Sequence, residues 1–184
     1  MLGETIKAHD RRVKEGWFEK YVDFDKPGID IGCQHNPLHD SFRKWDIIFG
    51  DGDATFMEGV EENSYQTVYA SHVLEHLDDP VLAIQNWYKI TSPGGNLIIL
   101  VPHRDLYEKK KNLPSKWNFE HKSFWLPETG EAPDTYGFKE IILKAIPDAD
   151  IVSFEVLQNG WEPLPANQHS VGEYSIEAII KKPQ

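Results

Sequence analysis

The chain has little cysteine: Cys33 is its only one in 184 residues. A single thiol closes no internal disulfide, which fits a reducing compartment. No apolar run approaches the length a helix needs to cross a bilayer. The opening stretch, MLGETIKAHDRRVKEGW, is polar and lacks the apolar core of a signal peptide. Positive charge is scarce too: 19 Lys and Arg stand against 30 Asp and Glu, for a formal charge of -11. So acidic a chain repels the phosphates of nucleic acid. Repeats and low-complexity tracts are missing as well. These absences lead to the expectation of a cytoplasmic protein with neither a membrane nor a nucleic-acid partner. They leave room for a cationic ligand, or an anionic one in a local basic pocket. The length allows one domain with a sizeable core, expected over 1–184.

What is present alternates between strand and helix patterns. Val13, Trp17 and Tyr21 recur at helical spacing and predict a helix within residues 1–22, inside a lead-in of 1–27, with Gly16 as its weak point. Pro27-Gly28 marks a turn before the short strand Ile29-Asp30-Ile31. Ile47-Ile48 suggests a second strand and Thr67–Ala70 a third. The continuous apolar run Leu97–Val101 suits a central parallel strand buried on both faces. Between the last two, Asp79 reads as an N-cap, Pro80 as the first helical residue, and Val81, Ile84 and Trp87 or Tyr88 as the helical stripe. Pro93-Gly94-Gly95 is expected to stop that helix. Phe138, Ile141, Ile142, Ala145 and Ile146 predict another helix, with Thr135 before it and Pro147 after. Two alternating strands follow, one on Val152, Phe154 and Val156 and one on Ile176, Ala178 and Ile180. The pattern is that of an open α/β sheet. Residues 103–133 and 158–173 show no clear period and read as binding loops.

Three stretches carry chemistry. In Gly28–Asn36 (GIDIGCQHN), a strand runs into an acid and a glycine, which lets backbone approach a ligand. In Gly50–Thr55 (GDGDAT), Asp53 could accept from an amino group, and Asp46 just upstream could clamp ribose hydroxyls; a solvated acidic turn is the plainer reading. In Ser71–Leu77 (SHVLEHL), His72, Glu75 and His76 form His-x-x-Glu-His, the pattern of inverted zinc proteases. As a zinc hydrolase, the two imidazoles would hold the ion and the carboxylate would activate water. Only about two turns of helix fit there, and no third ligand is indicated. The alternative is that Val73, Leu74 and Leu77 pack under the sheet while His76 braces the turn.

DIGCQHNP, GDGDAT and YQTVYASHVLEHLDDPVLAIQNWYKITSPGGNLIILVPH, in that order and spacing, resemble the small type 11 class I S-adenosylmethionine-dependent methyltransferases. HRDLYEKKKNLPSKWNFEHKSFW and HSVGEYSIEAIIKK look like the same family's later segments, so the resemblance runs nearly end to end. It implies a Rossmann-like, three-layer α/β/α fold whose sheet has the order 3-2-1-4-5-7-6 with strand 7 antiparallel. A faint third strand would fall near Asp53–Thr55. It implies S-adenosylmethionine as cofactor, held by the first motif (Asp30, Gly32, Cys33), by Asp46 at the ribose, by Asp53 and Ala54 at the adenine, and by Ser71 and His72 at the methionine end. No metal is expected on this reading. The family's first motif usually reads Asp-x-Gly-x-Gly-x-Gly. Here Gln34 and Asn36 stand at the second and third glycines, which keeps a non-catalytic, ligand-binding relative open as an alternative.

Methyl transfer is an in-line displacement, so the enzyme mainly positions the acceptor and sometimes removes its proton. On the implied topology the acceptor, a small molecule or glycan-like compound, meets the loops after strands 4, 5 and 6. His72, His103 and His121 are the candidate bases. Arg104, Tyr107, Trp117, Asn118, Trp161 and His169 are the candidate acceptor contacts, with 103–133 as the acceptor-side loop.

Overall fold

The computed structural model describes residues 4–184. The helices are α1 (Glu4–Lys14), α2 (Trp17–Tyr21), α3 (Pro80–Ile90), α4 (Arg104–Tyr107) and α5 (Phe138–Ala145). The strands are β1 (Gly28–Ile31), β2 (Arg43–Trp45), β3 (Tyr65–Ser71), β4 (Thr91–Pro102), β5 (Phe124–Leu126), β6 (Thr135–Gly137), β7 (Asp150–Leu157) and β8 (Ser175–Lys181). Six strands form the main sheet in the order β2-β1-β3-β4-β8-β7. β1 pairs in parallel with β2 and β3, and β3 with β4, while β8 runs antiparallel to both neighbours. In the order read from the sequence this is 2-1-4-5-7-6 with strand 7 reversed.

Two layers cover the sheet. Ile29, Ile31, Val68, Ala70, Leu97, Ile99, Ile176 and Ala178 face α3 and α5, where Ile84, Trp87, Phe138 and Ile142 complete the larger core. Tyr69, Ile98, Leu100 and Ile179 face the other way, toward Trp17, Tyr21, Leu38 and Phe42. Alternate residues of the same strands therefore serve different layers, as the strand period of two dictates. α3 begins as its sequence indicates: Asp79 accepts the Leu82 N–H at 3.0 Å, and Pro80 follows. A buried ion pair ties the first helix to the last strand. Arg12 Nη2 donates to Glu177 Oε2 at 2.8 Å, and Trp17 Nε1 donates to the other carboxylate oxygen at 3.0 Å. Such a pair is strongly destabilising when only one partner is removed, because the other charge is then buried alone.

Several expectations are corrected. The second strand is Arg43–Trp45, not Ile47-Ile48. Ile47, 76 % exposed, lies in a short 3-10 turn (Ile47–Phe49) capped by Asp46. No strand forms near Asp53–Thr55 among the described residues. There Gly50 and Gly52 take left-handed φ angles of 85° and 101°, and the Asp53 side chain turns back onto the Thr55 N–H at 2.7 Å. Trp87 Nε1 and Asn86 Nδ2 then fasten this turn to α3 through the Ala54 and Thr55 carbonyls. The N-terminal helix breaks at Gly16, in the left-handed region, and leaves Val13 exposed. α3 ends before Pro93-Gly94-Gly95, which lie inside β4 opposite an irregularity in β3. Thr135, expected just before the later helix, opens β6, and Gly137 stands at the start of α5. In β7 a register shift between Ile151 and Ser153 breaks the alternation and turns Val152 outward. Residues 103–133, read as a loop, include α4 and β5, the latter paired in parallel with β6.

Candidate functional site

The parallel strands β1, β2 and β3 end on one edge of the sheet, and a cavity of about 690 Å³ opens beyond them. Gly32 leaves β1 with φ 73°, and its N–H donates to Trp45 O at 2.7 Å. A Cβ at Gly32 would lie 2.3 Å from Val73 Cγ2. The chain can therefore turn out of β1 beneath the segment after β3 only at a residue without a side chain.

Asp46, at the end of β2, is the buried anchor of this wall. Its Oδ2 accepts the Gln34 N–H at 2.9 Å and its Oδ1 the Ile48 N–H at 3.0 Å. A carboxylate offers about four lone-pair sites, so acceptor capacity remains on the cavity side. Asp53, Ala54 and Thr55 continue the lining, with Gly52 beside them. Gln34, where the family pattern has glycine, also lines the cavity and adopts φ 49°, a left-handed conformation unusual for a side-chain-bearing residue.

Three residues expected to touch a cofactor are not among those lining the cavity. Asp30, 2 % exposed, lies within β1 and accepts the Leu38 N–H at 2.6 Å, so it holds the crossover to β2. Burial pushes its carboxyl up to about 7, against the lowering influence of the Leu38 N–H and of Arg12. Cys33 directs its thiol at the Gln34 carbonyl at 3.5 Å, and burial beside Asp30 and Asp46 pushes it up to about 11. Ser71 ends β3 short of the lining.

The opposite wall comes from the segment after β3 and the stretch 118–122: His72, His76, Leu77, Asp78, Asn118, Phe119, Glu120, His121 and Lys122. His72 has φ 58°, and its Nε2 shares a hydrogen bond with Ser175 Oγ at 2.8 Å. Burial pushes this imidazole down to about 3, with the neighbouring His121, Lys7 and His76 adding to the effect. It is a neutral ring held to β8. His76 is also lowered by burial.

Of the expected acceptor contacts, Asn118 lines the cavity, as does His121; the others do not. His103 caps α4, its Nδ1 accepting the Asp105 N–H at 3.1 Å, and burial lowers its titration. Arg104 is buried in ion pairs with Asp105 at 2.8 Å and Glu131 at 2.9 Å. Trp117 and Trp161 donate their indole N–H groups to the Tyr107 and Leu106 carbonyls. Tyr107 and His169 meet edge-on with centroids 5.3 Å apart, and Trp117 packs on the same imidazole at 5.2 Å. These side chains fasten α4 to the loop 158–173.

The sequence reading gave no role to Glu108. It is buried, accepts from Ser115 Oγ at 2.6 Å and from the Lys116 N–H at 3.2 Å, and lies 3.0 Å from His121 Nδ1 through Oε1. Burial alone would raise this carboxyl; the hydrogen bonds from His121, Ser115 and Lys116 outweigh it and hold the group below its ordinary value. Nothing in the periodicity marks Glu108, because it precedes a basic run in a segment without a repeat. His-x-x-Glu-His likewise does not assemble as expected. Glu75 and His76 come together with His121, one potential ligand atom from each lying within 4.8 Å of the others, while His72 bonds Ser175 through Nε2 and keeps its Nδ1 3.7 Å from Glu75 Oε1.

A family model described as a methyltransferase domain matches residues 14–131, more than half of the chain. A demethylmenaquinone methyltransferase of Paenarthrobacter aurescens is 25% identical over 139 residues, covering 76% of this chain and 54% of that protein. Its counterpart from Renibacterium salmoninarum is 24% identical over 170 residues, covering 88% and 64%. The chain thus spans only about half to two thirds of these curated relatives. Among solved structures, the N-methyltransferase NodS of Bradyrhizobium japonicum superposes with a TM-score of 0.54 at 14% identity, covering 100% of each chain. A SAM-dependent methyltransferase of Aquifex aeolicus gives 0.52 at 10% identity, covering 91% of this chain and 88% of that one. These structural likenesses establish the fold.

Proposed function

The chain belongs to the methyltransferase domain family, and on that premise we propose that it transfers the methyl group of S-adenosylmethionine to a small-molecule or glycan-like acceptor. The observation that carries this reading is the cavity at the ends of β1, β2 and β3, with Gly32 at its base and Asp46 and Asp53 on one wall. The donor set fits the cofactor: the two carboxylates accept from hydroxyl and amino groups, and Gly32 keeps the backbone low where a ligand must approach. When bound, the sulfonium supplies an electrophilic methyl group. The protein's own part is positioning. Asp46 and Asp53 would hold the nucleoside, and Asn118, His76 and His121 would face the acceptor. His72, held neutral against Ser175, would shape the wall between the two halves.

One observation favours a second reading, a cofactor-binding relative without turnover: Gln34 occupies the cavity lining where the family pattern has glycine. Calorimetry with S-adenosylmethionine and with its demethylated product separates the two, followed by transfer of labelled methyl to a panel of acceptors. The methyltransferase reading expects one-to-one binding, about tenfold weaker in Asp53→Ala, and label on an acceptor. Binding without transfer to any acceptor leaves the binding module. No binding of either compound overturns both.

A further inference from the structure

We propose that Glu75, His76 and His121 bind one first-row divalent cation of the zinc class, and that Glu108 positions His121 for it. The ligands come from two separate segments. Glu75 and His76 lie in the 3-10 turn after β3 (Leu74–His76), and His121 lies in the stretch that follows α4. Glu75 Oε1 is 4.0 Å from His76 Nε2 and 3.8 Å from His121 Nε2. Tetrahedral ligands each about 2.1 Å from zinc lie roughly 3.4 Å apart, so a contraction of a few tenths of an ångström closes these two pairs on an ion.

The hydrogen bonding behind the cluster gives it direction. Glu108 Oε1 accepts from His121 Nδ1 at 3.0 Å, which leaves the lone pair of a neutral His121 on Nε2. That nitrogen faces Glu75, whose side chain is 0 % exposed. A nitrogen lone pair and a carboxylate oxygen converging from two segments are the donor types that a first-row cation takes. A carboxylate behind the imidazole of a metal ligand is the usual way to fix its tautomer and raise its basicity. The Lys122 N–H donates to the Glu75 carbonyl at 2.7 Å and keeps the two segments in register.

Two imidazoles and one carboxylate favour zinc and its first-row neighbours over magnesium or calcium, which prefer all-oxygen shells. Three protein ligands leave a fourth position. His76 and His121 line the cavity, so that position opens on it and would take water or an oxygen of a bound acceptor. The metal-binding claim itself does not depend on the cofactor reading.

The test uses the full chain, stripped with chelator and titrated calorimetrically with zinc, cobalt and magnesium chlorides in the absence of S-adenosylmethionine. One equivalent of zinc should bind, magnesium much more weakly, and cobalt should give the intense visible absorption of a tetrahedral site. His76→Ala, at the cavity rim, should weaken zinc at least 100-fold, and the conservative Glu108→Gln about tenfold or more. Thermal melts verify that each variant is folded. An absence of stoichiometric zinc in the parent chain would overturn the proposal. So would zinc binding unchanged in both His76→Ala and Glu108→Gln. Metal binding is read without cofactor, so its failure leaves the methyltransferase reading standing, and the reverse holds too.

Discussion

Asp46 Oδ2 accepts the backbone N–H of Gln34 at 2.9 Å, so the carboxylate ending β2 pins the turn that leaves β1. The turn holds Gln34 at φ 49°, a conformation that costs a side-chain-bearing residue about 1 kcal/mol. Gln34→Gly removes that cost and clears the side chain from the cavity, while keeping the N–H that Asp46 requires. The expected result is a folded variant within about 1 kcal/mol of the parent in stability. S-Adenosylmethionine should bind it several-fold more tightly, as read by calorimetry. Weaker binding would show that the Gln34 amide contributes to the site.

Gly32 and Val73 make the opposite case, a position where a side chain has no room. Gly32→Ala places a Cβ 2.3 Å from Val73 Cγ2 at φ 73°. It should cost about 2 kcal/mol or more in urea denaturation. Adding Val73→Ala should return the steric part of that loss but not the part due to the backbone angle. A double variant no more stable than Gly32→Ala would show that Val73 is not what the new methyl group meets.

Asp30 predicts a pH dependence. Its carboxyl titrates at about 7 in the folded chain against an ordinary 3.8, because burial disfavours the charge. Between those values the folded state holds a proton that the unfolded state has released. The contribution is therefore fully present below about pH 4 and is lost as pH rises through about 7. Asp30→Asn, whose amide oxygen still accepts the Leu38 N–H, should lack this slope. Denaturation at about pH 5 and about pH 8 should show the parent losing stability relative to the variant, on the order of a few kcal/mol. Parallel curves would remove Asp30 as the titrating group.

The elements legible in the sequence were those whose signal is local. Asp79-Pro80 starts α3 because a cap and a fixed φ act within one turn. Leu97–Val101 lies within a central strand because both of its faces are covered. β2 was misplaced because Arg43–Trp45 is short and exposed at two of its three residues, so its pairing with β1, not its composition, makes it a strand. The absent edge strand has a related cause: glycine angles and the Asp53 turn favour a fold-back fastened to α3.

The sequence by itself determined the α/β alternation and the place of most helices and strands, because period and caps are properties of neighbouring residues. The layering, the strand order and the edge where a cavity opens followed from the resemblance its motifs carry. Tertiary structure alone decided which side chains meet in that cavity. It placed Asp30 under the crossover, buried Arg104 among acids, turned His72 to Ser175, and brought Glu108 and His121 up to Glu75 and His76. The physical reason is range. His121 and Glu75 lie 3.8 Å apart in space although the chain between them runs through α3, β4 and α4, and no periodicity carries information across that distance.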